Sequence, residues 1–100
     1  MKLTMHTPDF KAKESLLSFV EGNVGKIAHL SDRILESQVS LKLDKSTTGE
    51  NKICDIRLVI PGNDLFASKR STSFEDAVMQ SIEALKPQVA RWKDTNHSGV

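Results

Sequence analysis

One hundred residues, 38% apolar and 27% charged, suit one soluble globular domain whose single core must use most of its apolar side chains. No apolar run approaches the ~20 residues of a membrane span, and the opening MKLTMHTPDFK lacks the apolar stretch of a secretory signal, so a cytoplasmic protein with no membrane partner is expected. A net charge of +1 leaves a nucleic-acid partner open, because patches matter more than totals, and the lone Cys54 excludes an internal disulfide.

Leu3 and Met5 alternate with Lys2, Thr4 and His6, a short strand ended by Pro8. Leu16, Phe19, Val20, Val24, Ile27 and Leu30 then fall within one arc of a 3.6-residue helix. Its start is poorly marked, with Asp9 the only good cap residue nearby. Gly22 and Gly25 each cost it up to about 1 kcal/mol against alanine, so packing must hold it. Ser31 and Asp32 close it, and residues 34–45 read as a long strand. Leu35, Val39, Leu41 and Leu43 are expected to face in; Glu36, Gln38, Ser40, Lys42 and Asp44 face out.

The polar loop 46–51 returns the chain into the central strand. There Cys54, Ile56, Leu58 and Ile60 alternate with Ile53, Asp55, Arg57 and Val59. Pro61-Gly62-Asn63-Asp64 concentrates turn formers, and Leu65, Ala67 and Lys69 then alternate with Phe66, Ser68 and Arg70. Ser73 can cap a helix starting at Phe74, and Asp76 stands at capping-box spacing. Phe74, Val78, Ile82, Leu85, Val89 and Trp92 give the cleanest helical period of the chain. Pro87 interrupts it by removing one backbone donor and crowding the Glu83 carbonyl; because Val89 and Trp92 continue the stripe, a bent helix persisting to about Lys93 is expected rather than a clean stop. Residues 1–94 are expected to form the domain, with 95–100 a polar tail.

The element order is β-α-β-β-β-α, an α+β fold. A βαβ crossover makes the first two strands parallel, hairpins make the rest antiparallel, and both helices cover one face of a four-stranded mixed sheet. No catalytic constellation appears. His6, His29 and His97 lie in a strand, a helix end and the tail with no ligand spacing around them, so no metal is expected. Cys54 alternates inward and reads as an inert buried thiol. Pro61-Gly62 is a hairpin turn rather than a phosphate loop. Neither an enzyme, a cofactor nor a small-molecule substrate is indicated.

The opening MKLTMHTPDF, the run SDRILESQVSLKL and ENKICDIRLVIPGNDLFA leading to SFEDAV together resemble the ribosome hibernation promoting factor family, also called ribosomal subunit interface or sigma-54 modulation proteins. The likeness spans roughly residues 1–94, and Asp32-Arg33-Ile34, Pro61-Gly62 and Ser73-Phe74-Glu75 in that order carry it. The resemblance implies a translation inhibitor that binds the small ribosomal subunit through its rRNA, occupies the decoding region and keeps idle ribosomes inactive. It also implies that basic side chains on the helices and the sheet rim make the contacts. Longer relatives carry a further domain that joins two ribosomes. This chain stops at Val100, so it is expected to act on single ribosomes and to leave pairing to a separate dimerising factor.

Lys26, Arg33, Lys86, Arg91 and Lys93 are the expected rRNA contacts; Lys86 and Lys93 stand one heptad apart on the same flank of the last helix. Two departures from the family's pattern, Pro87 and Ala90 in the last helix and Asn23 in the first, remove cations. Fewer neutralised phosphates mean weaker binding and a shallower salt dependence. Lys42 and Arg57 share the open sheet face with Glu36, Asp44 and Asp55, a mixed surface that suits phosphate poorly. The alternative is a protein-interaction module without RNA binding, which would use Val59 and Phe66 on that open face. Trp92 ends the apolar stripe and reads as a core cap rather than a base-stacking platform.

Overall fold

The computed structural model describes residues 1–46 and 48–97. In chain order it has β1 (Lys2–His6), α1 (Glu14–Val24), a 3-10 segment (Gly25–His29), β2 (Glu36–Leu43), β3 (Lys52–Val59), β4 (Leu65–Ser71) and α2 (Phe74–His97). The sheet order is β1-β2-β3-β4, with β1 parallel to β2 and the remaining pairs antiparallel. This is the expected α+β, β-α-β-β-β-α architecture.

The core lies between the sheet and the helices. Val39, Leu41, Cys54, Ile56, Leu58 and Ala67 face Val20 and Val24 of α1 and Val78, Ile82, Leu85 and Val89 of α2 in one buried cluster. The Ser81 hydroxyl donates 3.1 Å to the Cys54 carbonyl, joining helix to sheet inside that core. Register puts the other face in rows across the sheet: Thr4, Gln38, Arg57 and Phe66 in one, His6, Ser40, Asp55 and Ser68 in the next. Gly62, at φ 99°, supplies the left-handed backbone that the β3–β4 turn needs.

Several local expectations are corrected. Leu35 is 58% exposed rather than inward. The pleat starts only at Glu36, so the alternation does not reach back to Leu35, and Ile34 fills the core instead. The Leu35 backbone still serves the sheet, its carbonyl accepting the Lys2 N–H at 3.0 Å and its N–H donating to the Val59 carbonyl at 2.9 Å. Asp9 caps no helix. It accepts the Leu43 N–H at 2.9 Å, tying the loop after β1 to the end of β2. α1 begins after Lys13 without a side-chain cap and tightens to 3-10 geometry from Gly25, as a glycine-weakened helix does near its end.

Ser73 does cap α2, accepting the Asp76 N–H at 3.1 Å. Asp76 does not close a capping box; its carboxylate is held by the Ser71 hydroxyl and the Gln80 amide. α2 continues through Pro87 as expected and runs to His97, past the expected end near Lys93 and into the segment read as a polar tail. Residues 98–100 of that tail lie outside the described residues. The continuation is anchored on its far side. Val89 is buried, Trp92 is packed against the core, and the Gln88 amide donates 2.9 Å to the Phe66 carbonyl. The same amide reaches the Ala84 carbonyl at 3.4 Å, next to the Glu83 carbonyl that Pro87 leaves without its usual donor.

Candidate functional site

The helices meet along a seam that gathers three of the five expected cations. Lys26 of the 3-10 segment and Lys86 of α2 line a cleft of about 160 Å³ with Asn23, Ile27, Leu30, Met79 and Ile82. Lys93 reaches across the seam, its Nζ donating 2.7 Å to the Leu30 carbonyl. Terminal carbonyls of a helical segment lack internal partners, and a cation supplies one. Arg33 stands in the loop before β2 with its guanidinium 5.0 Å from the centre of the Trp92 ring. Trp92 is thus a core cap whose ring also positions an arginine. Arg91 is separate, lying on the other flank of α2 in a groove with Leu65, Gln88, Trp92 and Thr95.

Pairing distinguishes these cations from those of the sheet. Among the described residues, Lys26, Arg33, Arg91 and Lys93 have no acidic partner. Lys86 has one, Glu83 at 2.9 Å on the same helix, with both side chains more than half exposed. Such a pair is worth ~0–1 kcal/mol and opens readily for a better anion.

On the open sheet face Lys42, Arg57 and Arg70 each meet an acid. Lys42 pairs with Asp55 at 2.6 Å, and the Ser68 hydroxyl holds the other Asp55 oxygen. Arg70 pairs with Asp44 at 2.8 Å and also donates to the Glu50 carbonyl. The Ser46 hydroxyl, then Arg70, hold the Asp44 carboxyl down at about 2. Arg57 lies 3.6 Å from Asp64 and covers the Phe66 ring at 5.4 Å. Phe66 is 45% exposed beneath that guanidinium, and Val59 is only half-exposed.

Chemistry at the buried groups is muted. Burial pushes the Cys54 thiol up to about 12, which leaves it protonated and unreactive at neutral pH. No group of three or more metal-binding side chains occurs among the described residues, and no helix there is long and apolar enough to cross a membrane. Sequence reasoning missed Lys11 and Lys13, which flank the start of α1 in a groove with Phe10, Leu16 and Phe74. Phe10 stacks on Phe74 at 4.7 Å and so fixes that segment against α2. In the sequence the two lysines stand with no acid between Asp9 and Glu14, although Glu75 of α2 lines the same groove.

Solved structures share the fold. A ribosomal subunit interface protein from Coxiella burnetii superposes with a TM-score of 0.79 at 20% identity, covering 94% of this chain and 99% of that one. The N-terminal domain of Protein Y from Thermus thermophilus gives a TM-score of 0.77 at 18% identity, covering 92% and 99%. No curated protein sequence matches the chain. Over residues 3–97 the sequence matches the family described as sigma 54 modulation protein / S30EA ribosomal protein, and the chain belongs to that family.

Proposed function

We propose that this chain is a ribosome-associated translation inhibitor that binds the small subunit through its rRNA, occupies the decoding region and keeps idle ribosomes inactive. It acts by steric occupancy in the cytoplasm, with no turnover, cofactor or small-molecule substrate. The observation that carries this reading is the contrast in pairing. Among the described residues, Lys26, Arg33, Arg91 and Lys93 on the helical side have no acidic partner, whereas Lys42, Arg57 and Arg70 on the open sheet each face an acid. A phosphate backbone rewards available cations, because each one displaces condensed counterions. Family membership and the ribosomal names of the structural neighbours point the same way.

Lys26 and Lys86 offer their charges at the seam, Arg91 offers its own on the far flank of α2, and Arg33 is held ready by Trp92. Lys93 has a second duty at the Leu30 carbonyl, so it contributes field more than a free hand. The test is sedimentation of purified protein with washed ribosomes and separated subunits across a salt series. Binding to the small subunit that is lost steeply as salt rises is the expected result. Protein that stays at the top of the gradient at low salt, or that remains bound unchanged at high salt, overturns the proposal.

A further inference from the structure

The cleft between the helices brings cations from two helical segments together over apolar side chains. Ile27, Leu30, Met79 and Ile82 form the floor, Lys26 and Lys86 stand on opposite walls, and Asn23 adds an amide. Its volume of about 160 Å³ is well below the ~300–1,000 Å³ of a drug-sized pocket. It is also far too small for a helix of ~10–12 Å diameter, whether peptide or nucleic acid. A single flat ring fits that scale.

The chemistry of the lining is equally selective. Methionine sulfur is polarizable and favours contact with an aromatic ring. An asparagine amide offers both a donor and an acceptor to a base edge. The Asn23 Nδ2 donates 2.8 Å to the Phe19 carbonyl, which fixes the amide's orientation. Lys26 has no acidic partner among the described residues, and the exposed Lys86–Glu83 pair yields readily, so two ammonium groups are available to one phosphate.

We infer that this cleft receives one unstacked nucleotide of a single-stranded RNA segment, with the base on the Ile27–Leu30–Met79–Ile82 floor and its phosphate between Lys26 and Lys86. The inference rests on the ribosome-binding reading and adds that one contact is to an exposed base, not only to backbone. Single-stranded RNA is recognised through such splayed bases, whereas a duplex hides them.

The experiment is a methyl NMR titration of the full chain with a six-nucleotide single-stranded RNA, with a duplex of equal phosphate count, and with inorganic phosphate. The single strand is expected to move the Ile27, Leu30, Met79 and Ile82 methyls, and the other two to leave them in place. Met79→Trp, which fills the cleft and keeps every lysine, is expected to weaken single-strand binding about tenfold, the scale of one base displaced from its platform. Asn23→Leu serves as the second variant should Met79→Trp melt lower than the parent. Equal methyl shifts with single strand and duplex, or unchanged affinity in both variants, overturn the inference. Ribosome sedimentation separates the two readings. Variants that bind the single strand as tightly as the parent, while parent and variants alike sediment with ribosomes, refute the cleft and leave the ribosome reading standing, whereas a parent that does not sediment refutes the ribosome reading itself.

Discussion

The two faces of this domain use their cations in opposite ways. On the sheet, long cationic side chains reach acids diagonally across the ladder: Lys42 on β2 stands opposite Ile53 and reaches Asp55 on β3, which stands opposite Ser40. Such diagonal neighbours stand ~7–8 Å apart, a span that a lysine side chain bridges. On the helical side neighbours arise every three or four residues, and only Lys86 finds an acid at that spacing among the described residues. Lys93 and Arg33 are engaged instead by a carbonyl and an aromatic ring, which leave their charge unneutralised. Net charge therefore says little about where a polyanion would bind; the arrangement of partners decides it.

The largest expected effect comes from breaking the device that holds the helical side together. Trp92 packs against the core and carries Arg33 on its ring. Trp92→Ala should cost about 2–4 kcal/mol, below the ~3–5 of a fully buried tryptophan because the ring is half-buried. Arg33→Ala should cost only about 0.5–1 kcal/mol, the worth of an exposed cation–π contact. Urea unfolding of both variants and of the double variant measures the coupling. A double variant whose loss is the plain sum of the singles would show that the ring does not position the arginine.

Next in size is Pro87→Arg. A helix that continues through proline forgoes a bond to Glu83, and proline stands ~3 kcal/mol behind alanine in a helix interior. Contacts from Gln88, Val89, Trp92 and Lys93 offset that loss. Because Pro87 is exposed, arginine fits without repacking, and we expect a gain of about 1–3 kcal/mol in thermal or urea unfolding. The substitution also adds a cation to the helical side, so tighter ribosome binding should accompany it. A variant that melts below its parent would show that the native packing depends on the proline's own geometry.

Legibility in the sequence followed the strength of periodicity. Alternation in β3 and the seven-residue recurrences of α2 fixed the layers, the register phase and the buried face, because each rests on many residues agreeing. Single-residue inferences failed where a competing partner existed. Asp9 serves Leu43 rather than a helix, and Leu35 sits one residue outside the pleat that would have turned it inward. For the site, charge and spacing named the cations but not their company. Nothing in one dimension shows that Lys93 meets the Leu30 carbonyl, or that Lys26 and Lys86 share a cleft with Met79. Those meetings depend on how α1 and α2 pack, and that is set by the whole core.

Smaller in effect, but the most direct probe of the contrast, is paired neutralisation. Lys26→Gln with Arg91→Gln should lower the slope of log K against log salt by about 0.7–0.9 for each phosphate no longer neutralised. Lys42→Gln with Arg70→Gln should leave the slope unchanged, since those charges are already neutralised by Asp55 and Asp44. Equal reductions from both pairs would mean that acid pairing does not decide availability.

The smallest effect is expected from Asp44, and it tests the sheet side alone. Its folded carboxyl titrates at about 2, held there first by the Ser46 hydroxyl and then by Arg70. An unfolded aspartate titrates near ~3.9. A carboxyl whose folded value is depressed contributes stability that is present above the unfolded value and lost as pH falls from there through the folded one. The parent should therefore lose stability between about pH 4 and pH 2 more steeply than Asp44→Asn, and the two should run parallel above about pH 5. The side chain is at the surface, so the difference should be slight and should shrink in high salt. Melts across roughly pH 2–6 decide it, and superimposable acid limbs would remove Asp44 as a contributor. At neutral pH the same substitution frees Arg70 from its acid. If availability governs binding, Asp44→Asn should raise the salt slope for RNA, by up to ~0.7–0.9 where Arg70 reaches a phosphate. A variant that frees Arg70 and leaves RNA binding untouched would place the whole sheet face outside the interface, whatever its pairing.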